Sequence, residues 1–306
     1  MSEEPKFFDG YSLQEIHEWY MDLAKEIDQI VGGNSTAAKL LQYYLNPKEQ
    51  VQNKHILKRC REDIAHQKKE DGTDNFFGSS VNNQAGTFIL DDAYLRKVME
   101  VTNYHSVMKQ IKSIFLSKAN PEKGIIAHMK KGIKNKYSLY YYDGVKLEKD
   151  VKDVLLSTAG MMNFKMRLSE NQKKRVDVYV GLNTFAVRAD VVIKINSINF
   201  ESALRSQTDN SVPIKSINVS ITSWKSTFFD YYDFDPKLGI PLLNPHYKKG
   251  KIHPEKEHID IKELQHDKLV DMTTENPPLA NRFYVFKEYT ETNPDLLVEN
   301  QEITWR

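Results

Sequence analysis

Through the first 130 residues, apolar positions recur at helical steps; beyond Tyr137 the step shortens toward two. Leu13, Ile16, Tyr20, Leu23, Ile27 and Ile30 share one face at three- and four-residue spacing, which predicts an amphipathic helix. Ser12, with Glu15 three residues later, supplies a capping box, and Gly32-Gly33 supplies the left-handed stop. A second helix is expected over Thr36–Leu45, capped by Asn34 or Ser35 and ended before Pro47. A third is expected over Glu49–Lys69, with Val51, Ile56, Cys60 and Ile64 turned inward. Residues 70–86 are rich in Gly, Asn, Asp and Ser and read as a loop. A short apolar Thr87–Leu90 follows. Helical spacing then returns over Asp91–Ser117, where Leu95, Val98, Val101, Met108, Ile111 and Phe115 form the inward stripe.

Tyr137–Tyr142 and Val145–Leu147 flank Asp143-Gly144, a pair that accepts positive φ, and this predicts a hairpin. Phe164–Leu168, Val176–Val180 and Phe185–Ile195 read as strands on their β-branched and aromatic content. Ile214–Trp224, Phe283–Tyr289 and Ile303–Trp305 continue that pattern. The expected class is α+β: a helical N-terminal part, residues 1–130, docked on an antiparallel β sandwich or barrel, residues 131–306, as two regions or one integrated domain.

Charge narrows the choice of partner. Lys and Arg number 43 against 42 Asp and Glu, so no overall field draws the chain to nucleic acid or an anionic membrane. The local run Lys130, Lys131, Lys134 and Lys136 runs into Tyr137 and Tyr140–Tyr142, and such interleaving can bind single strands. Half-buried sheet tyrosines explain it more simply, and nucleic acid is not an expected partner. Lys173-Lys174-Arg175 reads as a hairpin turn. Cys60 is the only cysteine, so no intramolecular disulfide forms. No apolar run approaches the roughly 20 residues a bilayer span needs, and the acidic start resembles no signal peptide. The expectation is a chain made in the cytoplasm that leaves, if it leaves, by a signal-independent machine.

Two segments carry candidate chemistry. Asp230, Asp233 and Asp235 alternate with aromatics in FFDYYDFDPKLG. Alternating carboxylates can hold a hard cation or act as an acid–base pair, but neither motif is complete. Aromatics that pack while the acids face water are the simpler reading. His246, His253, His258 and His266 place four imidazoles within 21 residues, beside Asp260, Glu263 and Asp267. Their spacings of 7, 5 and 8 match no common zinc pattern, and the lysines among them oppose a cation. A metal-dependent hydrolase built on them is one reading; a solvated excursion between strands is the plainer one. GxSxG, P-loop and GxGxxG motifs are absent from the sequence, so neither a cofactor nor a catalytic set is assigned.

Several blocks in order resemble a known family: Ala37-Ala38-Lys39-Leu40-Leu41 with Tyr43-Tyr44, Phe88–Ala93, Phe185–Phe200, Phe229–Leu238 with Gly239, and Asn281–Phe286. The chain resembles an uncharacterised bacterial domain family associated with type VI secretion loci and polymorphic-toxin cargo. The resemblance implies an antibacterial effector, with a secretion spike or tube component and a cognate immunity protein as partners. It supplies no catalytic residues. The alternative is a non-catalytic binding protein, a secretion adaptor or an immunity protein, whose aromatics serve as interface anchors.

Overall fold

The computed structural model describes residues 8, 10–59, 85–116, 141–151, 169–182, 185–200, 214–232, 247–248, 251–252 and 264–304. Helix α1, Leu13–Val31, starts at the expected capping box: Ser12 Oγ accepts from Glu15 N at 3.3 Å, and Glu15 returns a carboxylate to Ser12 N at 2.9 Å. It stops at Gly32, where φ of 91° needs a residue without a Cβ. Ile16, Trp19, Tyr20, Leu23, Ala24 and Ile27 form its buried face. Helix α2, Thr36–Leu45, is capped by Ser35.

The third helix begins later than its pattern suggests. Pro47–Glu49 make one 3-10 turn, residues 50–53 are extended, and Asn53 caps a helix whose described part is 54–59. The extended piece is held by hydrogen bonds. Gln50 Nε2 donates to Tyr43 O at 2.9 Å and Asn281 O at 2.8 Å, while Thr87 N donates to Val51 O at 2.8 Å. Val51 is consequently 67% exposed rather than inward, and Ile56 is buried as expected. Cys60 and Ile64 lie outside the described residues.

Strand β1, Gly86–Ile89, follows, and then two helices stand where one was expected: α3, Asp92–Val101, and α4, Tyr104–Leu116. The break falls at Thr102, whose extended backbone ends the first helix while its hydroxyl donates to Val98 O at 2.6 Å. Strand β2, Tyr141–Val151, passes straight through Asp143-Gly144, so no hairpin forms there. Helix α5, Glu170–Leu182, replaces the expected strand at Val176–Val180 and the expected turn at Lys173–Arg175. Val176, Asp177, Val178, Val180, Gly181 and Leu182 are all buried, so valines on every side of a buried helix imitated strand alternation. Its start carries the cue that periodicity hid: Ser169 Oγ accepts from Gln172 N, and Gln172 Oε1 accepts from Ser169 N.

The remaining elements are β3, Phe185–Phe200; β4, Ile214–Tyr232; the short pair β5, Tyr247–Lys248, and β6, Lys251–Ile252; helix α6, Leu264–Met272; β7, Phe283–Thr290; and β8, Val298–Thr304. Phe164–Leu168 lies outside the described residues. The class is α+β, with helices mostly N-terminal and strands mostly C-terminal. The main sheet has six strands in the order β1-β7-β4-β3-β2, with β8 also on β4. It is mixed rather than antiparallel, because β1 pairs parallel to β7, Gly86 opposite Phe283. Its strand path is open and does not close into a barrel.

The chain forms two compact units, and β4 and β7 each contribute to both. The first comprises residues 1–102, 152–185 and 229–287; the second comprises 103–151, 186–228 and 288–306. In the first unit, α1, α2, α3 and α5 pack together, and Gly181 of α5 marks the closest approach. A Cβ there would lie 2.3 Å from Tyr94 Oη and 3.4 Å from Ala37 Cα. In the second, Ile217, Val219 and Ile221 of β4, Val191 and Ile195 of β3, and Met108 and Ile111 of α4 are buried.

Gly181→Ala is expected to lower unfolding stability by about 1–3 kcal/mol despite alanine's better helix propensity, because overpacking outweighs it. The loss should shrink when the same substitution is made in a Tyr94→Phe background, as read by urea unfolding of both pairs.

Candidate functional site

Of the acids singled out in sequence, Asp230 alone is described, and it does not face water. It is 8% exposed near the end of β4. Its charge, added to burial, helps raise the hydroxyl pKa of Tyr232 and, to a smaller degree, of Tyr94. Asp233 and Asp235 lie outside the described residues, as do His246, His253 and His258. His266 falls on α6 with its side chain outside the description. Among the described residues no group of three His, Cys, Asp or Glu side chains is arranged to hold a metal ion. No helix among them is long and apolar enough to cross a membrane.

Two buried polar clusters escaped sequence reading. In the first unit, Asp177 on α5 is 1% exposed. Its Oδ1 accepts from Ser35 Oγ at 2.7 Å and from Ala37 N at 3.0 Å, and its Oδ2 accepts from Lys97 Nζ at 2.7 Å. Ser35 Oγ in turn accepts from Ala38 N at 3.0 Å. One carboxylate therefore fills a free N–H at the start of α2, sits at the positive end of that helix, and is neutralised by a lysine from α3. Every oxygen has a partner, and the arrangement acts as a fastener between helices.

In the second unit, Tyr104 at the start of α4 donates its hydroxyl proton to Glu291 and accepts from Ser226 at 2.8 Å. Ser226 and Glu291 are 0% and 5% exposed, and the Tyr104 ring stacks on Phe228 at 5.4 Å. Burial raises the Glu291 pKa, against the opposing pull of the Tyr104 hydrogen bond, the nearby His105 and the Asn293 N–H. Burial and the Glu291 charge together push the Tyr104 hydroxyl far above its ordinary range. A serine, a tyrosine and a carboxylate in sequence resemble a proton relay. All three are buried, and they join α4 to β4 and to the turn after β7.

An accessible concavity lies elsewhere in the second unit. An open groove of about 780 Å³ runs between α4 and the turn before β8, lined by Lys109, Lys112, Ser113, Pro294, Asp295 and Gln301. Lys109 Nζ pairs with the Asp295 carboxylate at 2.8 Å, and Lys112 donates to Asp295 O. Partial burial lowers the Lys112 pKa, and the Asp295 charge opposes it. Lysines with an apolar Pro294 wall can seat a carboxylate or a peptide carbonyl. Nothing in the sequence marks these residues: they are separated by nearly the whole of the second unit's length and carry no motif.

Glu291 makes a pH signature. Its raised folded pKa stabilises the fold fully below the unfolded value near 4.5, and that contribution is lost as pH rises through the folded value. Glu291→Gln keeps the acceptor for Tyr104, so urea unfolding of this variant between pH 4.5 and 7 is expected to fall less with pH than that of the parent chain. Comparison of the chain with protein-family models, with curated proteins and with solved structures finds no match.

Proposed function

We propose that this chain is an antibacterial effector carried by a type VI secretion machine, with a spike or tube component as carrier and a cognate immunity protein in the producing cell. The carrying observation is the ordered set of blocks that resemble those of the cargo-associated family. Described residues of four of these blocks converge in the first unit, while nearly all of Phe185–Phe200 belongs to the second. The Tyr43 ring lies 5.3 Å from Phe88 and 4.8 Å from Phe283, Tyr44 lies 6.0 Å from Tyr232, and Tyr232 stacks on Phe283 at 4.9 Å. Tyr231 meets Tyr284 at 4.6 Å and Phe229 meets Phe286 at 5.6 Å. Such convergence favours a shared core over chance likeness of short words.

The second reading is a non-catalytic adaptor or immunity protein, favoured by the open Lys109–Asp295 groove, which suits a peptide partner better than a small substrate. Pull-down from the native host separates the two: a stoichiometric toxin indicates immunity, and spike or tube proteins indicate cargo or adaptor.

Expression in the cytoplasm of a susceptible bacterium, and in its periplasm behind an added export signal, is expected to reduce viability in at least one compartment. Full viability in both, with folded protein confirmed, sinks the effector reading. Asp233→Ala with Asp235→Ala tests the other two acids of the segment. Asp230 is better replaced by Asn, since removing a buried carboxylate's partners to its neighbours risks unfolding. Toxicity retained by both variants rejects the acidic segment as the active surface.

A further inference from the structure

The turn from β7 to β8, residues 291–297, lies at the surface of the second unit. Thr292, Pro294 and Asp295 are exposed, while Glu291 and Leu296 are buried, 5% and 0% exposed. A leucine commonly anchors such a turn; a carboxylic acid rarely does. Within the turn, Asp295 N donates to Asn293 Oδ1 at 2.9 Å and Leu296 N to Asn293 O at 3.0 Å. Three contacts join it to α4: Tyr104 donates to Glu291, Lys109 pairs with the Asp295 carboxylate, and Lys112 donates to the Asp295 carbonyl. Both side chains of the Lys109–Asp295 pair are more than half exposed, and such pairs hold little. Glu291 is therefore the enclosed contact among the three.

The partners of Glu291 are neutral donors, the Tyr104 hydroxyl and the Asn293 N–H. Among the described residues no Lys or Arg pairs with it: Lys225 of β4 pairs with Glu288 of β7 at 2.6 Å, and Lys109 with Asp295 at 2.8 Å. The backbone beside it is fixed, since Glu291 N donates to Trp224 O at 2.8 Å. A protonated carboxyl is at ease in such a place. An ionised one without a cation gains by reaching water.

We propose that Glu291 is a pH-operated catch: protonated, it closes the 291–297 turn on α4, and ionised, it releases the turn and opens the groove lined by Lys109, Lys112 and Asp295. The sign follows from burial. The folded carboxyl titrates above the unfolded one, so the catch holds in acid and is lost as pH rises through the folded value. The other titratable groups around it do not supply this response. Asp295 is held below its usual range by Lys109, so it stays ionised while Glu291 titrates. Tyr104 lies far above its ordinary range, and Lys225 and Glu288 neutralise each other beside Tyr289. His105, exposed on α4, is the remaining candidate. Release of one surface turn is the kind of local opening that precedes global unfolding. The catch sets when the groove is accessible whatever the chain's role, so it stands apart from the effector reading, and either can fail without the other.

The test is amide hydrogen exchange of the full chain, with each rate divided by the unfolded-chain rate at the same pH. From about pH 5 to about pH 8, protection of peptides from α4 and from the 291–297 turn is expected to fall about tenfold, the effect of displacing one titration. Peptides from α5, in the first unit, should lose less. Glu291→Gln should keep protection high and flat across the range, and His105→Gln should leave the parent response in place. Tyr104→Phe removes a donor that favours the ionised form, so its midpoint should move to higher pH. If circular dichroism shows that Glu291→Gln fails to fold, the Tyr104→Phe midpoint decides, and a midpoint unmoved or lower overturns the proposal. A response retained by Glu291→Gln overturns it, as does one that disappears in His105→Gln. Equal loss of protection in α4, the turn and α5 also overturns it, because the carboxyl then tunes global stability alone.

Discussion

A carboxylate taken out of water costs several kcal/mol unless its charge is met and its lone pairs are filled. Asp177 meets both conditions with groups from two other parts of the chain. Ser35 and Ala37 bring the start of α2, Lys97 brings α3, and Asp177 itself comes from α5, some 140 positions from the helix it caps. Tyr94, also from α3, adds a hydroxyl donated to the Asp177 carbonyl at 3.3 Å, and Gly181 one turn later leaves room for that ring. Removing any one partner leaves another buried group unsatisfied. The cluster thus acts on geometry as much as on stability: it specifies which end of α2 meets α5, a choice that apolar packing of Ala37, Leu40 and Leu41 alone leaves loose.

The aromatic core of the same unit rests on that choice. Tyr43 and Tyr44 sit near the end of α2, so the orientation of that helix sets where their rings meet Phe88, Tyr232 and Phe283. Tyr44 Oη also donates to Leu269 O of α6 at 3.1 Å, and its own carbonyl accepts from Asn281 N at 2.8 Å. The second unit uses the same device on a smaller scale, with Glu291 accepting from Tyr104. Asp177 and Glu291 are thus both held by neutral or cationic donors and serve the fold, while the lysine groove faces outward.

Some of this was legible in the sequence, and the reasons differ by residue. The capping box at Ser12 and Glu15, the Gly32 stop and the inward stripe of α1 are local, so a short window contains all their determinants. Asp91–Ser117 reads as one helix because its apolar spacing continues across Thr102-Asn103, although Asn103, a favoured N-cap residue, stands directly before α4. Val176–Val180 misleads because a helix buried on every side has no polar face to set its period, although Ser169 and Gln172 announce its start. Asp143-Gly144 accepts a turn without requiring one, and β2 runs through it. Asp230 appeared as one of three equivalent acids, yet burial depends on the depth of β4 in its sheet. The partners of Asp177 and Glu291 lie so far away in sequence that no spacing rule could join them. That Asp230 and the aromatics around it belong to the core became legible only in the structure.

The claim that Asp177 fastens α2 to α3 and α5 is tested most directly by a double-mutant cycle on Asp177→Asn and Lys97→Met, read as urea unfolding free energies. The account predicts that the two losses fail to add, with a coupling of about 1–3 kcal/mol, because each substitution removes the same pairing. Additivity within about 0.5 kcal/mol contradicts it, and would make Lys97 a bystander at the surface and the capping of α2 a local affair of Ser35.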